Sequence, residues 1–370
     1  MNLTLKIKLL TDDEQHNRLL STMRVFNKAC NYISELAFNT KTFAKFEVHK
    51  VCYYDVREKF GLSSQMAVRA VGKVCESYKE KAKRVNTAAR GSLHTFKDTG
   101  AMVLDDRLLS FKGLELASML TLDGRIEVPI LIAEYHRGML MGRRVRGQAD
   151  LILDNNIFYL MLVIELPDKP LFDAEKYIGV DMGIVNIAVD STGETFSGSK
   201  VNNLRKRNAR LRKKLQAKGT KSAKRLLKKR SKKERHFATD TNHCIAKKIV
   251  EKAKALGQGI ALEDLTNIRT RTEKTVKKQQ RYRHSSWSFY QLRQFIEYKA
   301  ILRGVPVVLV DPRNTSRQCP VCGHTEKANR KSRDDFECKV CGYADRADYV
   351  ASVNISRRAV VNQPNVEFAV

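Results

Sequence analysis

The chain has 370 residues, 42% of them hydrophobic, enough for two or three domains with cores of their own. Lys and Arg number 69 against 40 Asp and Glu, a net charge of +29, and phosphate backbones fit such an excess best because each neutralised phosphate releases condensed counterions. No run reaches the apolar length of a membrane span, neither terminus reads as a basic amphipathic helix, and residues 2–8 alternate with period two, so no membrane partner and no signal peptide are expected and the location expected is cytoplasmic.

After that first strand, Thr11 is positioned to cap a helix whose first turn carries Asp12, Asp13 and Glu14. Leu19, Leu20, Met23, Phe26, Cys30 and Ile33 then recur at helical spacing. Gly61, Ser63 and Ser64 punctuate before a second helix, about residues 65–83, with Met66, Val68, Val71 and Val74 on its apolar stripe. Residues 11–94 therefore read as a helical insert. From residue 95 to 170 the pattern breaks into short β-runs, at 101–104, at 125–131 after Asp123-Gly124, and at 151–166 around a turn at Asn155-Asn156. With residues 1–10 these runs suggest a β-barrel interrupted by the helical insert.

A third region covers 171–314 and resumes at 343–358. Residues 177–181, 185–190 and 194–196 read as three successive antiparallel strands, with Asp190 and Ser191-Thr192-Gly193 as plain turn chemistry. A basic insertion, 202–236, follows; residues 204–235 hold 17 Lys or Arg and a single acid, Glu234. Leu204, Leu211, Leu215, Leu226 and Leu227 predict two helices meeting near Gly219. The segment lies between strand-like runs and is nearly all one sign. It therefore reads as a phosphate-tracking hairpin that binds nucleic acid through Arg205, Arg207, Arg210, Arg212, Lys213, Lys224, Arg225, Lys228, Lys229 and Arg230. A separate helix is predicted at 240–255, an apolar strand at 259–262 ending in Glu263, an amphipathic helix at 291–302 and an apolar strand at 305–310. Strands, helices, strand, helix, strand and a final helix form the element order of an RNase H-like α/β fold.

Two Cys-x-x-Cys pairs, Cys319/Cys322 and Cys338/Cys341, lie within residues 315–342 at the spacing of a four-thiolate zinc ribbon. A closed thiolate site is structural, with Pro320, Gly323 and Gly342 shaping its knuckles and His324 a neighbour rather than a ligand. Cys30, Cys52, Cys75 and Cys244 fall at apolar helical positions and read as buried thiols.

The acids follow from the strands. The first polar residue beyond a doubly buried strand marks the sheet rim, and Asp181 and Glu263 both hold that position. The helix after the ribbon adds Asp348, on one face with Ser352 and Ile355. Asp345 reads as that helix's cap, and Asp264 as a turn or cap residue. Carboxylates at strand ends can hold Mg²⁺, and a two-metal nuclease needs three of them around the scissile phosphate.

Residues 178–183 (Ile-Gly-Val-Asp-Met-Gly), 260–265 (Ile-Ala-Leu-Glu-Asp-Leu), Thr315-Ser316, and Asp348 with Ala351, Asn354 and Ile355 resemble the RuvC motifs of TnpB. TnpB proteins are the transposon-encoded RNA-guided nucleases related to miniature type V CRISPR effectors. Trp287, Phe289, Gln291, Leu292, Tyr298, Lys299 and Ala300 fit the same pattern. The resemblance, which runs to about Ser356, implies a RuvC-like nuclease domain with an inserted zinc ribbon, a wedge-like β-barrel and a helical recognition insert; residues 359–370 read as a C-terminal tail. It implies Asp181, Glu263 and Asp348 as the Mg²⁺-binding catalytic triad, a structural Zn²⁺, a non-coding guide RNA and a double-stranded DNA target. Two positions depart from the family: Val350 stands where Asn is usual and Ser352 where Ala is usual. A nuclease-inactive, RNA-guided repressor and an RNase H-like transposase remain alternative functions for such a scaffold.

Overall fold

The computed structural model describes residues 2–84, 92–141, 145–265 and 289–361. Trp287 and the tail from residue 362 onward lie outside them. The chain divides into two compact units, Met1–Pro167 and Asp168–Val370. Among the described residues no helix is long and apolar enough to cross a membrane.

In the first unit, β1 (Asn2–Leu9) leads into α1 (Asp13–Asn39). The cap is Asp12, not Thr11. Its carboxylate accepts the Gln15 amide at 2.7 Å while the Gln15 side chain accepts the Asp12 amide, a reciprocal box that Thr11 sits one residue too early to make. The helix α2 (Lys45–Phe60) buries only Val48, Cys52 and Val56, too thin a stripe to mark it in the sequence, and Gly61 ends it in the left-handed region. The helical layer closes with α3 (Ser64–Arg84).

Strands β2 (Met102–Asp105), β3 (Leu109–Lys112), β4 (Leu116–Thr121) and β5 (Gly124–Leu131) follow, then a short α4 (Glu134–Leu140), β6 (Val145–Asp154) and β7 (Ile157–Glu165). They join β1 in one antiparallel sheet of order β2-β6-β7-β1-β5-β4-β3. Among the described residues no ladder joins β2 to β3, which leaves the expected barrel unclosed at that seam. Asn155 and Asn156 both take positive φ, the two-residue turn that matches strand twist between β6 and β7.

The second unit opens with β8 (Tyr177–Asp181), β9 (Asn186–Asp190) and β10 (Thr195–Ser197), antiparallel as the sequence predicts. Asp190 does more than turn the chain. Fully buried, it accepts the Thr192 hydroxyl and the Thr192 and Glu194 amides, and it pairs with Lys252 at 2.7 Å. Next come α5 (Ser199–Lys218) and α6 (Lys221–Leu256), separated at Gly219. The predicted break near residue 240 is absent. Thr241 donates back to the Phe237 carbonyl one turn earlier, a bond a continuous helix accommodates, and Asn242 donates to Gln291 instead of to the helix backbone. Cys244, expected to be buried, is exposed on this helix.

Then β11 (Gly259–Glu263), α7 (Phe289–Arg303), β12 (Val307–Val310), a two-stranded ribbon of β13 (Asp335–Glu337) and β14 (Ala344–Arg346), and α8 (Ala347–Val361) complete the unit. Its main sheet has the order β10-β9-β8-β11-β12, with β11 parallel to β8 and β12. One face packs Ile178, Val180, Ile260 and Leu262 against Ile249 and Val250 of α6 and Leu292 and Ile296 of α7. The other packs Tyr177, Ala261 and Val310 against Ile355 and Ala359 of α8. Side chains alternate along a strand, so Gly179, Asp181 and Glu263 share the face that α8 covers.

Candidate active site and metal centre

Strand register sets two of the three predicted acids side by side. Val180 pairs with Leu262 in parallel β8 and β11, so Asp181 and Glu263 sit at neighbouring strand ends on one face. Gly179 then lets α8 come against the sheet. Ser356 of α8 donates to the Tyr177 carbonyl at 2.5 Å, and Asp348 in the first turn is delivered to the same rim. Asp181 records the meeting. Burial pushes its carboxyl well above the usual carboxylate range, and the nearby carboxylates of Glu263 and Asp348 push it further.

Each acid has a neighbour of its own; Thr315 stands among the motif residues read from the sequence, whereas Asn186 and Arg330 are not singled out there. Asn186, at the start of β9, donates to Asp348 Oδ2 at 3.0 Å. Thr315 donates to Glu263 Oε1 at 2.6 Å. Arg330, beside the short 3₁₀ turn Lys327–Asn329 of the ribbon, lies close enough for its guanidinium to counter the rise at Asp181. Burial raises the Glu263 carboxyl; the Thr315 hydroxyl and the Arg358 guanidinium oppose that rise and Asp311 reinforces it. Arg358 also ties down the loop after β12, donating to the carbonyls of Asp311 and Arg313 and to Gln318. Asp264, expected to serve a turn or cap, pairs with Arg293 at 3.0 Å.

Two neighbours of Asp348 do not act as the sequence suggests. Asp345 is no helix cap: it lies in β14 opposite Phe336 and accepts from the Tyr343 hydroxyl, because the ribbon strand continues to Arg346 before α8 begins. Val350 stands about 200° around the helix from Asp348. Fully buried, it packs with Cys319, Phe336, Cys338 and Ala347 under the ribbon, so its departure from the family pattern falls on the ribbon core and not on the carboxylates.

Cys319, Cys322, Cys338 and Cys341 bring their four sulfurs within 4.8 Å of one another. Cys319 lies 3.5 Å from Cys341 and Cys322 lies 3.5 Å from Cys338, close to the roughly 3.8 Å that tetrahedral Zn–S bonds of about 2.3 Å impose. All four are free thiols. The Cys341 amide is the main cause that pulls Cys338 down to about 6, while, against the Tyr343 amide, burial and the neighbouring sulfurs push Cys341 up to about 12, the two thiols titrating as one group. Gly323 and Gly342 take positive φ in the knuckles, and His324 contacts Glu326 rather than a sulfur. The residues fit Zn²⁺. Among the described residues this is the one such group of His, Cys, Asp or Glu ligand atoms within 4.8 Å; Asp181, Glu263 and Asp348 are spread more widely.

The basic segment is a hairpin of α5 and α6, and its cations divide into two kinds. Arg207, Arg210, Lys213, Lys224, Arg225, Lys228 and Lys229 are exposed, while Arg205, Arg212 and Arg230 are half-buried. Arg212 pairs with Glu234 at 3.1 Å and Arg230 donates to Asn208 at 3.3 Å, each across the hairpin.

Two family models cover much of this second unit. A family described as "Probable transposase" matches residues 161–269, which include Asp181 and Glu263, and one described as "Cas12f1-like, TNB domain" matches residues 289–355, which include the four cysteines and Asp348. A TnpB-like protein of Methanocaldococcus jannaschii is 40% identical over 121 residues, 33% of this chain and 43% of that protein. In this stretch the chain is similar to TnpB-like proteins. It is also 32% identical over 219 residues to the CRISPR-associated endodeoxyribonuclease Cas12f1 of Sulfoacidibacillus thermotolerans, covering 54% of this chain and 50% of that one. The chain thus spans half or less of the length of these two relatives. A Cas12f1 solved by cryo-EM in complex with sgRNA and target DNA shares the fold, with a TM-score of 0.66 at 15% identity over 96% of this chain and 98% of that one.

Proposed function

We propose that this TnpB-like chain is an RNA-guided DNA endonuclease of a transposable element, cutting guide-complementary DNA beside a short flanking motif by two-metal hydrolysis. The observation that carries the reading is the convergence of Asp181, Glu263 and Asp348 on one sheet rim, with Asp181 raised by both of the others. Clustered like charges cost free energy unless a cation relieves them, and acidic oxygen donors suit Mg²⁺. The three carboxylates would hold it, and bound Mg²⁺ supplies water activation and charge neutralisation at the phosphate.

The protein's own groups do the rest. Asn186 fixes the carboxylate of Asp348. The Arg330 guanidinium donates to the Arg333 carbonyl at 2.9 Å and its charge offsets part of the rise at Asp181. The exposed cations of the α5–α6 hairpin would track the phosphates of a guide RNA or of its heteroduplex with DNA. Within this reading, residues 1–10 and 95–170 form the wedge-like sheet and 11–94 the recognition insert. Residues 171–314 and, beyond β14, the helix from Ala347 form the RuvC-like nuclease, whose sheet of three antiparallel strands followed on one side by two parallel ones supports an RNase H-like assignment. The ribbon, expected at 315–342 and continued by β14 to Arg346, would be held by Zn²⁺. The names of the relatives support the class, and the presence of all three carboxylates favours a nuclease over a repressor.

The test is the RNA that co-purifies with the full chain. A defined RNA with a variable end should be found, and the protein loaded with it should cut a matching plasmid in Mg²⁺. Absence of a bound RNA species, or cutting that ignores the guide, would overturn the proposal.

A further inference from the structure

Glu263 has a buried carboxylate, 9% exposed, and its geometry is set by a chain of hydrogen bonds that returns to the helix carrying Asp348. Thr315 Oγ1 approaches Glu263 Oε1 at 2.6 Å and the Pro312 carbonyl at 3.2 Å. One hydroxyl proton cannot serve both, and the shorter bond to the charged acceptor takes it. Thr315 is itself buried and is fixed from the far side. Asn354 Nδ2 reaches the Thr315 carbonyl and the Gln318 carbonyl, each at 2.7 Å. Asn354 lies on α8, two turns beyond Asp348, and Gln318 immediately precedes the ribbon ligand Cys319. A single helix therefore brings one acid to the rim directly and orients a second through Asn354 and Thr315.

We propose that Thr315 is a positioning residue for Glu263, holding Oε1 so that Oε2 is the oxygen presented to a divalent cation, and that Asn354 sets Thr315 from α8. The proposal rests on the nuclease reading, in which Glu263 is a metal ligand. It gives roles to two residues whose side chains touch neither substrate nor metal. Without the hydroxyl, the buried carboxylate could rotate freely about its last torsion, a broad two-fold well, and would meet the cation in the wrong orientation part of the time.

The test is Mn²⁺ binding to the zinc-loaded, full-length protein, followed by electron paramagnetic resonance, with thermal melting of each variant alongside. Thr315→Val keeps the shape and removes the donor; Thr315→Ser keeps the donor. Thr315→Val should weaken Mn²⁺ binding by about tenfold and melt somewhat lower because the buried carboxylate loses a donor, whereas Thr315→Ser should bind within about twofold of the parent and melt with it. Asn354→Ala should weaken binding as well and also lower the melting temperature. Thr315→Val binding as the parent does, while Asp181→Asn loses Mn²⁺, would overturn this proposal alone. An Asp181→Asn protein that binds Mn²⁺ as the parent does would overturn it together with the nuclease reading. Equal loss in Thr315→Ser and Thr315→Val would also overturn it, since a role in packing alone does not distinguish the hydroxyl.

Discussion

Gly179 lies so close to Ser352 that a Cβ at Gly179 would fall 2.0 Å from the Ser352 carbonyl oxygen and 2.4 Å from the Ser356 amide nitrogen. Both atoms are backbone, so no side-chain rotation can make room, and the missing Cβ is what lets α8 lie against β8 with Asp348 at the rim. Gly179→Ala should therefore cost about 3 kcal/mol of stability or displace the helix, and in either case cleavage should fall steeply. Chemical denaturation together with a cleavage assay checks this; a variant of parental stability and full activity would contradict the packing.

Asp181 carries a cost in the metal-free protein. Its native pKa lies above that of the unfolded chain, so the native state holds the proton more tightly, and stability declines as pH rises from the ordinary carboxylate range through the raised value. Asp181→Asn removes that decline. In zinc-containing, Mg²⁺-free buffer near pH 8 the variant should melt about 2 °C or more above the parent, with the gap closing toward pH 4. Adding Mg²⁺ should stabilise the parent and not the variant.

The two kinds of cation on the α5–α6 hairpin should separate in experiment. Changing Arg207, Arg210 and Lys213 to Gln removes exposed charges, and it should reduce the slope of log affinity for RNA against log salt by about two. Arg212→Gln breaks the bond to Glu234 and should lower the melting temperature while changing that slope less than one exposed cation does. Salt-titrated binding and thermal melting of both variants decide the assignment.

Local pattern carried much of the architecture. The strands at 177–181 and 259–263 were legible because continuous apolar runs ended in acid, and the four cysteines because their spacing is that of a zinc ribbon. Pattern misled where polar residues sit inside regular structure. Asp240, Thr241 and Asn242 looked like a helix start but lie within α6, and Asp345 looked like a cap but belongs to a strand. Val350 was read against a family pattern, whereas a helix places it away from Asp348 and under the ribbon. Thr315 was visible as a motif residue but its bond to Glu263 was not, and Asn186 left no local trace. Asn186 is 162 residues from Asp348 and Thr315 is 52 from Glu263, and only the folded sheet brings those donors within reach. Arg330 was one more cation in a basic chain until the fold let its charge oppose the rise at Asp181.

The central claim is that Asp181, Glu263 and Asp348 together perform the cut, and single-turnover cleavage of a guide-matched DNA tests it most directly. The parent, Asp181→Asn and Glu263→Gln proteins would each be loaded with the same RNA and matched for DNA binding. The account predicts full occupancy of the target by all three, cleavage by the parent in Mg²⁺, and a loss of at least about a thousandfold in both variants. Cleavage near the parental rate in either variant, with binding intact, would contradict it.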